Sequence, residues 1–280
     1  MSNPEAAVVP LFLDTTIQVE RAVGTDARRA ETIRGLLAEF PQRATCEFVR
    51  LEFKRAVIQD LTCLLNYILQ SDPPSFWAAL SRAMRVGGRR SNRLGAILAW
   101  VGTGMGEIEA EVGSAQDQRL AQQAISYIRN AVMALWVGFQ RDLLTVVDQL
   151  RCQRAKEAPR RKETGSIDDT IHERACRDKQ CNNSNFFQSQ RAVLVRLADQ
   201  LSELQKEGMP LTDELLNALA AIRAAEVDSI RLYNYGNCLA LGDVWIHLEA
   251  AAAGVKSFAT FNRKESEHLC PLLNLTMRPS

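Results

Sequence analysis

The sequence has no imbalance of charge, no long apolar run and no closely paired cysteines, and each absence removes a class of protein. Lys and Arg number 34 against 33 Asp and Glu, so net charge supplies no argument for a nucleic-acid or membrane partner. No window offers the roughly 18 uncharged apolar residues of a membrane span, because Arg129 and Arg141 interrupt the longest apolar stretch. No Lys or Arg precedes the first apolar segment, which is of strand length, so neither a secretory nor a transit leader is expected, and the expected location is cytoplasmic. Seven scattered cysteines are an odd number, which fits reduced thiols better than a disulfide framework. What remains is a chain of 280 residues, long enough to bury a sizeable core as one large or two modest domains.

The apolar pattern changes character along the chain. Residues 8–13 form a continuous apolar run ended by Asp14, as expected of a buried parallel strand. The pattern predicts a helix capped by Asp14 or Thr15, another over 26–40 closed by Pro41, and a long amphipathic stretch from Thr45 to Leu69 stopped by Asp72-Pro73-Pro74. From Ser75 to about Leu150 the periodicity is helical with no strand, and Gly87-Gly88, Gly102, Gly104 and Gly106 read as breaks or turns. Residues 151–187 lose apolar periodicity and read as a long surface excursion. Helices are expected from Ser189 to Glu207 and from Thr212, as N-cap, to Tyr233. The tail returns to α/β, with a helix over 243–253 ended by Gly254, a strand over 256–260 and a further helical segment over 265–269. No internal repeat or low-complexity segment is present. An α/β layer built from residues 1–60 and 236–280 therefore brackets a mostly helical stretch, 61–235.

Acids recur where such a layer presents ligand sites. Asp14 and Thr15 follow the first strand, Glu52 lies on an early amphipathic helix, Gly242-Asp243 opens a late helix, and Thr260-Phe261-Asn262 follows the last predicted strand, with Glu265 shortly after. Taken singly, Asp14 or Asp243 reads as a helix cap and Glu52 as a solvated charge, with Glu47 as its competitor in a different helical register. Taken together, three acids far apart in sequence can converge on one hard cation.

In their order and flanking apolar runs these motifs resemble the PIN-domain nuclease family, over about the first 60 and last 45 residues. The resemblance implies a three-layer fold with a central parallel sheet, here expanded by a large helical insertion. It implies a divalent-metal-dependent endonuclease using Mg²⁺ or Mn²⁺, most often on single-stranded RNA. Asp14 and Asp243 would be direct metal ligands, Glu52 either a ligand or the group that positions a metal-bound water, and Asn262 a neutral oxygen donor where many relatives carry Asp. Thr15 and Thr260 would orient carboxylates and contact substrate, with Glu265 as an auxiliary acid. A toxin or phage-defence effector restrained by an inhibitor protein is a natural setting for such a family, with the insertion serving as substrate clamp, dimer surface or inhibitor-binding face.

Other features compete for function. Cys152, His172, Cys176 and Cys181 have spacing that can hold structural Zn²⁺, although no Cys-x2-Cys pair supports it, and free thiols on a loop are the plainer reading. Arg89, Arg90 and Arg93, with Arg160, Arg161 and Lys162, would suit a groove that follows a phosphate backbone. His247 reads as packed or exposed, and Trp77, Trp100 and Trp136 as core. The alternative function is a non-cleaving nucleic-acid or protein-binding module on the same fold.

Overall fold

The computed structural model describes residues 10–24, 26–85, 89–105, 114–168 and 181–278, with the side chains of 89–94, 105, 114 and 235 left aside. The chain begins β1 (Leu11–Leu13), α1 (Thr15–Val23), α2 (Ala27–Glu39), β2 (Arg43–Cys46) and α3 (Glu47–Phe53), then a π-helical turn over Lys54–Ile58 that leads into α4 (Gln59–Gln70). It continues through α5 (Phe76–Arg85), α6 (Arg89–Met105), α7 (Ser114–Gly138), β3 (Thr145–Val147), α8 (Gln153–Lys156), β4 (Arg160–Arg161) and β5 (Ile167–Asp168). The last part comprises α9 (Asn183–Ser189), α10 (Arg191–Lys206), α11 (Asp213–Val227), a 3-10 turn over Ser229–Tyr233, α12 (Tyr235–Ala240), α13 (Gly242–Ala252), β6 (Ser257–Ala259), α14 (Arg263–Leu272) and β7 (Thr276–Arg278).

Five strands form one parallel sheet in the order β3-β2-β1-β6-β7, while β4 and β5 pair as a separate antiparallel hairpin. The apolar run Leu11-Phe12-Leu13 takes the central position because both its faces are covered. Alternation along β1 sends Phe12 into the larger core, where it stacks on Phe258 of β6 at 5.4 Å. It sends Leu11 and Leu13 to the opposite face, against Ile17 of α1 and Ile33 and Leu36 of α2. The chain is thus α/β with helices on both faces of a parallel sheet. Its strand order reverses at β1, so the crevice beyond the carboxyl ends of β1 and β6 is where an open sheet of this type receives ligands.

Several elements correct the sequence reading. The stretch expected to be one helix from Thr45 begins as β2, whose Ala44, Thr45 and Cys46 are fully buried beside β1. The helix that follows is divided by the π-helical turn. The supposedly all-helical stretch from 75 to 150 contains β3, paired with β2, so the central sheet draws on the middle of the chain as well as on its ends. β3 is three residues long, lies at the sheet edge and is only partly buried, so it shows neither the alternation nor the apolar run that reveals a strand. β7, the other edge, is equally short. α6 runs through Gly102 and Gly104 without a break. Gly87, Gly88, Gly106 and the first two residues of the predicted strand, Val8 and Val9, lie outside the described residues.

The described parts of the segment read as a surface excursion, 151–168 and 181–187, are anchored instead, and 169–180 lie outside the described residues. Cys152, Ala155, Ile167, Cys181, Phe186 and Phe187 are all buried, and α9 starts the helical order earlier than expected. Thr212 does cap α11, its hydroxyl accepting from Leu215 N–H at 3.3 Å, but that helix ends at Val227. α13 ends at Ala252 and is followed by Gly254, whose φ of 72° suits the left-handed turn that lets Val255 N–H reach Ala250 O. Trp136 is buried under the Arg50 guanidinium as expected of a core residue, whereas Trp77 is 56% exposed and Trp100 is half-buried. Among the described residues no helix is long and apolar enough to cross a membrane, and no disulfide joins two of the six described cysteines.

Candidate active site

Asp14 occupies the N-cap position of α1, yet its side chain makes no capping hydrogen bond. Its Oδ2 instead accepts from the Thr260 hydroxyl at 2.7 Å and the Thr16 hydroxyl at 3.0 Å. Both hydroxyls are held by the turn after β6. Asn262 N–H donates to Thr260 Oγ1 at 2.8 Å and Phe261 N–H to Thr16 Oγ1 at 2.9 Å. Each threonine oxygen accepts from that turn, so its one proton is free to point at the carboxylate. Asp14 is 4% exposed and Thr260 fully buried, so this small network is fixed by the sheet rather than by solvent.

Glu52 reaches the same place from α3. Its Oε2 accepts from the Thr15 hydroxyl at 2.5 Å, whereas Glu47 is turned toward Arg50 at 3.5 Å. Burial pushes the Glu52 carboxyl up to about 7, with the Asp14 charge adding to the rise and the Thr15 hydroxyl and Arg55 opposing it. Asp243, in the first turn of α13, is pushed well above the carboxylate range, first by burial and then by the charges of Glu52, Asp14, Glu265 and Glu214. The three acids therefore share one electrostatic field. Its carboxylates are crowded, desolvated and short of positive charge.

Gly242 is what lets α13 approach this closely. A Cβ there would stand 2.8 Å from Glu52 Oε1 and 3.3 Å from the Phe48 ring. Behind the first turn, His247 donates from Nδ1 to the Asp243 carbonyl at 2.7 Å, leaving Nε2 to accept from Ser266 Oγ at 3.2 Å, and its ring stacks on Phe258 at 4.1 Å. Burial lowers its pKa. This histidine is packed and positions the backbone of α13.

Glu52 and Asp243 line a polar crevice of about 730 Å³, whose other walls include Arg55, Glu214, Asn217 and Asn237. Reading the sequence did not single out these four. Arg55 lies three residues after Glu52, on the same helical face, and that spacing was a usable signal. Glu214 and Asn217 come from α11 and Asn237 from α12, both within the helical stretch, and nothing local marks them. The π-helical turn that carries Arg55 directly follows α3, the helix of Glu52, and such turns concentrate at functional sites.

The donor chemistry suits a hard divalent cation. All candidate donors are oxygens, and Glu265, 5% exposed, keeps its Oε2 without a hydrogen-bond partner among the described residues. No group of three or more His, Cys, Asp or Glu side chains among the described residues stands in a geometry that could hold a metal ion. Mg²⁺ needs no such closed cage, because it usually takes one or two carboxylates and keeps several waters. The fit is therefore one of chemistry and placement, with the carboxylates still to be drawn together.

The remaining sequence-predicted residues are placed differently. Asn262 enters this network through its backbone N–H, which donates to Thr260 Oγ1. Arg89, Arg90 and Arg93 start α6, and their side chains lie outside the described ones. Arg160 and Arg161 form exposed β4, and Lys162 pairs with Asp168 at 3.6 Å across the hairpin. Of the candidate zinc ligands, Cys152 and Cys181 are buried, while His172 and Cys176 lie outside the described residues. Comparison with known proteins found no matching family model, no curated relative and no similar solved structure.

Proposed function

We propose that this protein is a divalent-metal-dependent endonuclease of PIN-like type, acting on single-stranded RNA in preference to DNA. The observation that supports this most is that Asp14, Glu52 and Asp243, from three distant parts of the chain, act on one another's charge at the ligand-receiving end of the sheet. Burying like charges together costs stability, and a cluster kept despite that cost is a mark of a functional site. Asp14, Asp243 and Glu52 would hold Mg²⁺ or Mn²⁺, and the bound cation would supply a water of lowered pKa and offset charge on phosphate oxygens.

The chain's own groups have separable roles. Thr260 and Thr16 fix the Asp14 carboxylate, and Thr15 fixes Glu52 through Oε2, leaving Glu52 Oε1 to ligate the cation or to position a water bound to it. Arg55 faces the same crevice and is the group suited to a phosphate, while Asn217 and Asn237 offer amides to sugar or base edges. α11 and α12 make the helical stretch part of the substrate crevice.

The test is cleavage of labelled single-stranded RNA and DNA with Mg²⁺, Mn²⁺ or chelator, comparing wild type with Asp14→Asn and Asp243→Asn. Metal-dependent cleavage by wild type that both variants lose supports the proposal, and full activity in Asp14→Asn removes that residue from the mechanism. A second reading, a non-cleaving nucleic-acid or protein-binding module, draws on the neutral Asn262, which meets this network through its backbone N–H, and on the size of the helical stretch. Salt-sensitive RNA binding that persists in chelator, without cleavage, would favour it.

A further inference from the structure

A second cavity, of about 530 Å³, lies between α1, α6 and α7 and shares no lining residue with the acidic crevice. Its volume is that of a small-molecule site. Four aromatic side chains form its walls: Phe53 and Phe139, with ring centroids 5.3 Å apart, and Trp100 and Tyr127, 5.6 Å apart and tilted by 53°. Gly104 makes the second pair possible, since a Cβ there would fall 2.0 Å from the Tyr127 hydroxyl.

The polar groups of this cleft are mostly donors. Arg21 and Arg141 both line it, and no Asp or Glu does. Arg21 donates to Gln18 Oε1 at 2.9 Å, and its nearest carboxylate, on Asp142, stands at 3.9 Å. That leaves the Gln18 Nε2 amide, on a side chain only 4% exposed, buried without a hydrogen-bond partner among the described residues. Burial and the neighbouring Arg43 pull the Arg21 pKa below its usual value, with Asp142 opposing. A buried donor lacking an acceptor is unfavourable, and two guanidiniums in a cleft lined by no carboxylate favour an anion.

We propose that the cleft between α1, α6 and α7 binds a nucleotide, its ring stacked against Trp100 and Tyr127 over the buried floor of Phe53 and Phe139 and its phosphate facing Arg21 and Arg141. The Gln18 amide supplies the donor for an acceptor on the ligand. Aromatic walls accept any base through its π-face, and guanidiniums suit phosphate geometry. The nucleotide is either free or one residue of a bound single strand. The inference does not depend on cleavage, because its residues are separate from the acidic crevice.

The experiment is equilibrium binding to the full chain, read by intrinsic tryptophan fluorescence and by ligand-observed NMR. The probes are adenosine monophosphate, uridine monophosphate, uncharged adenosine and a short single-stranded oligoribonucleotide, all with chelator present. Two variants at exposed positions of the cleft, Arg141→Met and Ala134→Trp, remove a charge or fill space without disturbing the core. Monophosphate binding stronger than adenosine binding, weakened at least about tenfold by both variants, supports the proposal with a free nucleotide as ligand. Binding of the oligoribonucleotide alone, weakened by both variants, supports it with a strand as the source. No binding of any probe at about 1 mM, a level that detects even weak sites, overturns it, as does binding that neither variant weakens in protein with wild-type melting behaviour.

Discussion

Glu52→Gln tests the crevice acids in a way that separates a functional cluster from a structural one. The glutamine keeps an oxygen for the Thr15 hydroxyl but cannot ionise. In the wild type, burial and the Asp14 charge raise the carboxyl from its ordinary 4.5 to about 7. A carboxyl raised in the folded state contributes stability fully present below its unfolded pKa, and that contribution is lost as pH rises through about 7. The shift corresponds to about 3 kcal/mol, and because the crevice is open to water we take about 2 kcal/mol as the working figure. Glu52→Gln is therefore expected to be more stable than wild type by about 2 kcal/mol at pH 8, with most of the gain gone at pH 5. Denaturant unfolding of both proteins at the two pH values measures it. Adding Mg²⁺ should stabilise wild type, since a ligand that binds only the folded state adds RT ln(1 + [L]/Kd), and should stabilise the variant less. A variant that is less stable than wild type by the same amount at both pH values would refute the reasoning, because Glu52 would then be a structural hydrogen-bonding group.

Other outcomes follow from the same geometry. Thr260→Val leaves Asn262 N–H and Asp14 Oδ2 each short of a partner, so it should cost about 1–3 kcal/mol in denaturant melts and reduce any cleavage without altering substrate binding. Gly242→Ala places a Cβ 2.8 Å from Glu52 Oε1, so it should displace that carboxylate and lower the turnover rate in a protein whose circular dichroism is unchanged. Glu249 is fully buried on α13 and accepts from Gln149 and Leu150 N–H through Oε1, tying α13 to the segment after β3. Burial raises it to about 7, so the advantage of Glu249→Gln over wild type should grow by about 2 kcal/mol between pH 5 and pH 8. A pH-independent offset from the buried amide is expected there, and only the change with pH carries the test; a flat difference across that range would mean the carboxylate is satisfied when charged.

The sequence by itself determined the central strands β1 and β6 and drew attention to three acids. The apolar run 8–13 reads as a strand buried on both faces, and Leu11-Phe12-Leu13 form one; Asp14 and Asp243 stood out because they end or begin an apolar element, and Glu52 because it lies between Leu51 and Phe53 on an amphipathic helix. The sequence was silent on the edges, because β3 and β7 are short, partly exposed and held by backbone hydrogen bonds that any side chain allows. It mistook β2 for the start of a helix, since Arg43 to Cys46 continue into α3 without a turn residue between them. Tertiary structure alone decided that Asp14 spends its carboxylate on two threonine hydroxyls rather than on capping α1. It alone brought Glu214, Asn217 and Asn237 to the crevice, and Gln18, Arg21 and Arg141 to the aromatic cleft. Periodicity reports which face of an element is buried, but which elements share a crevice depends on how distant helices pack, and no local pattern encodes that.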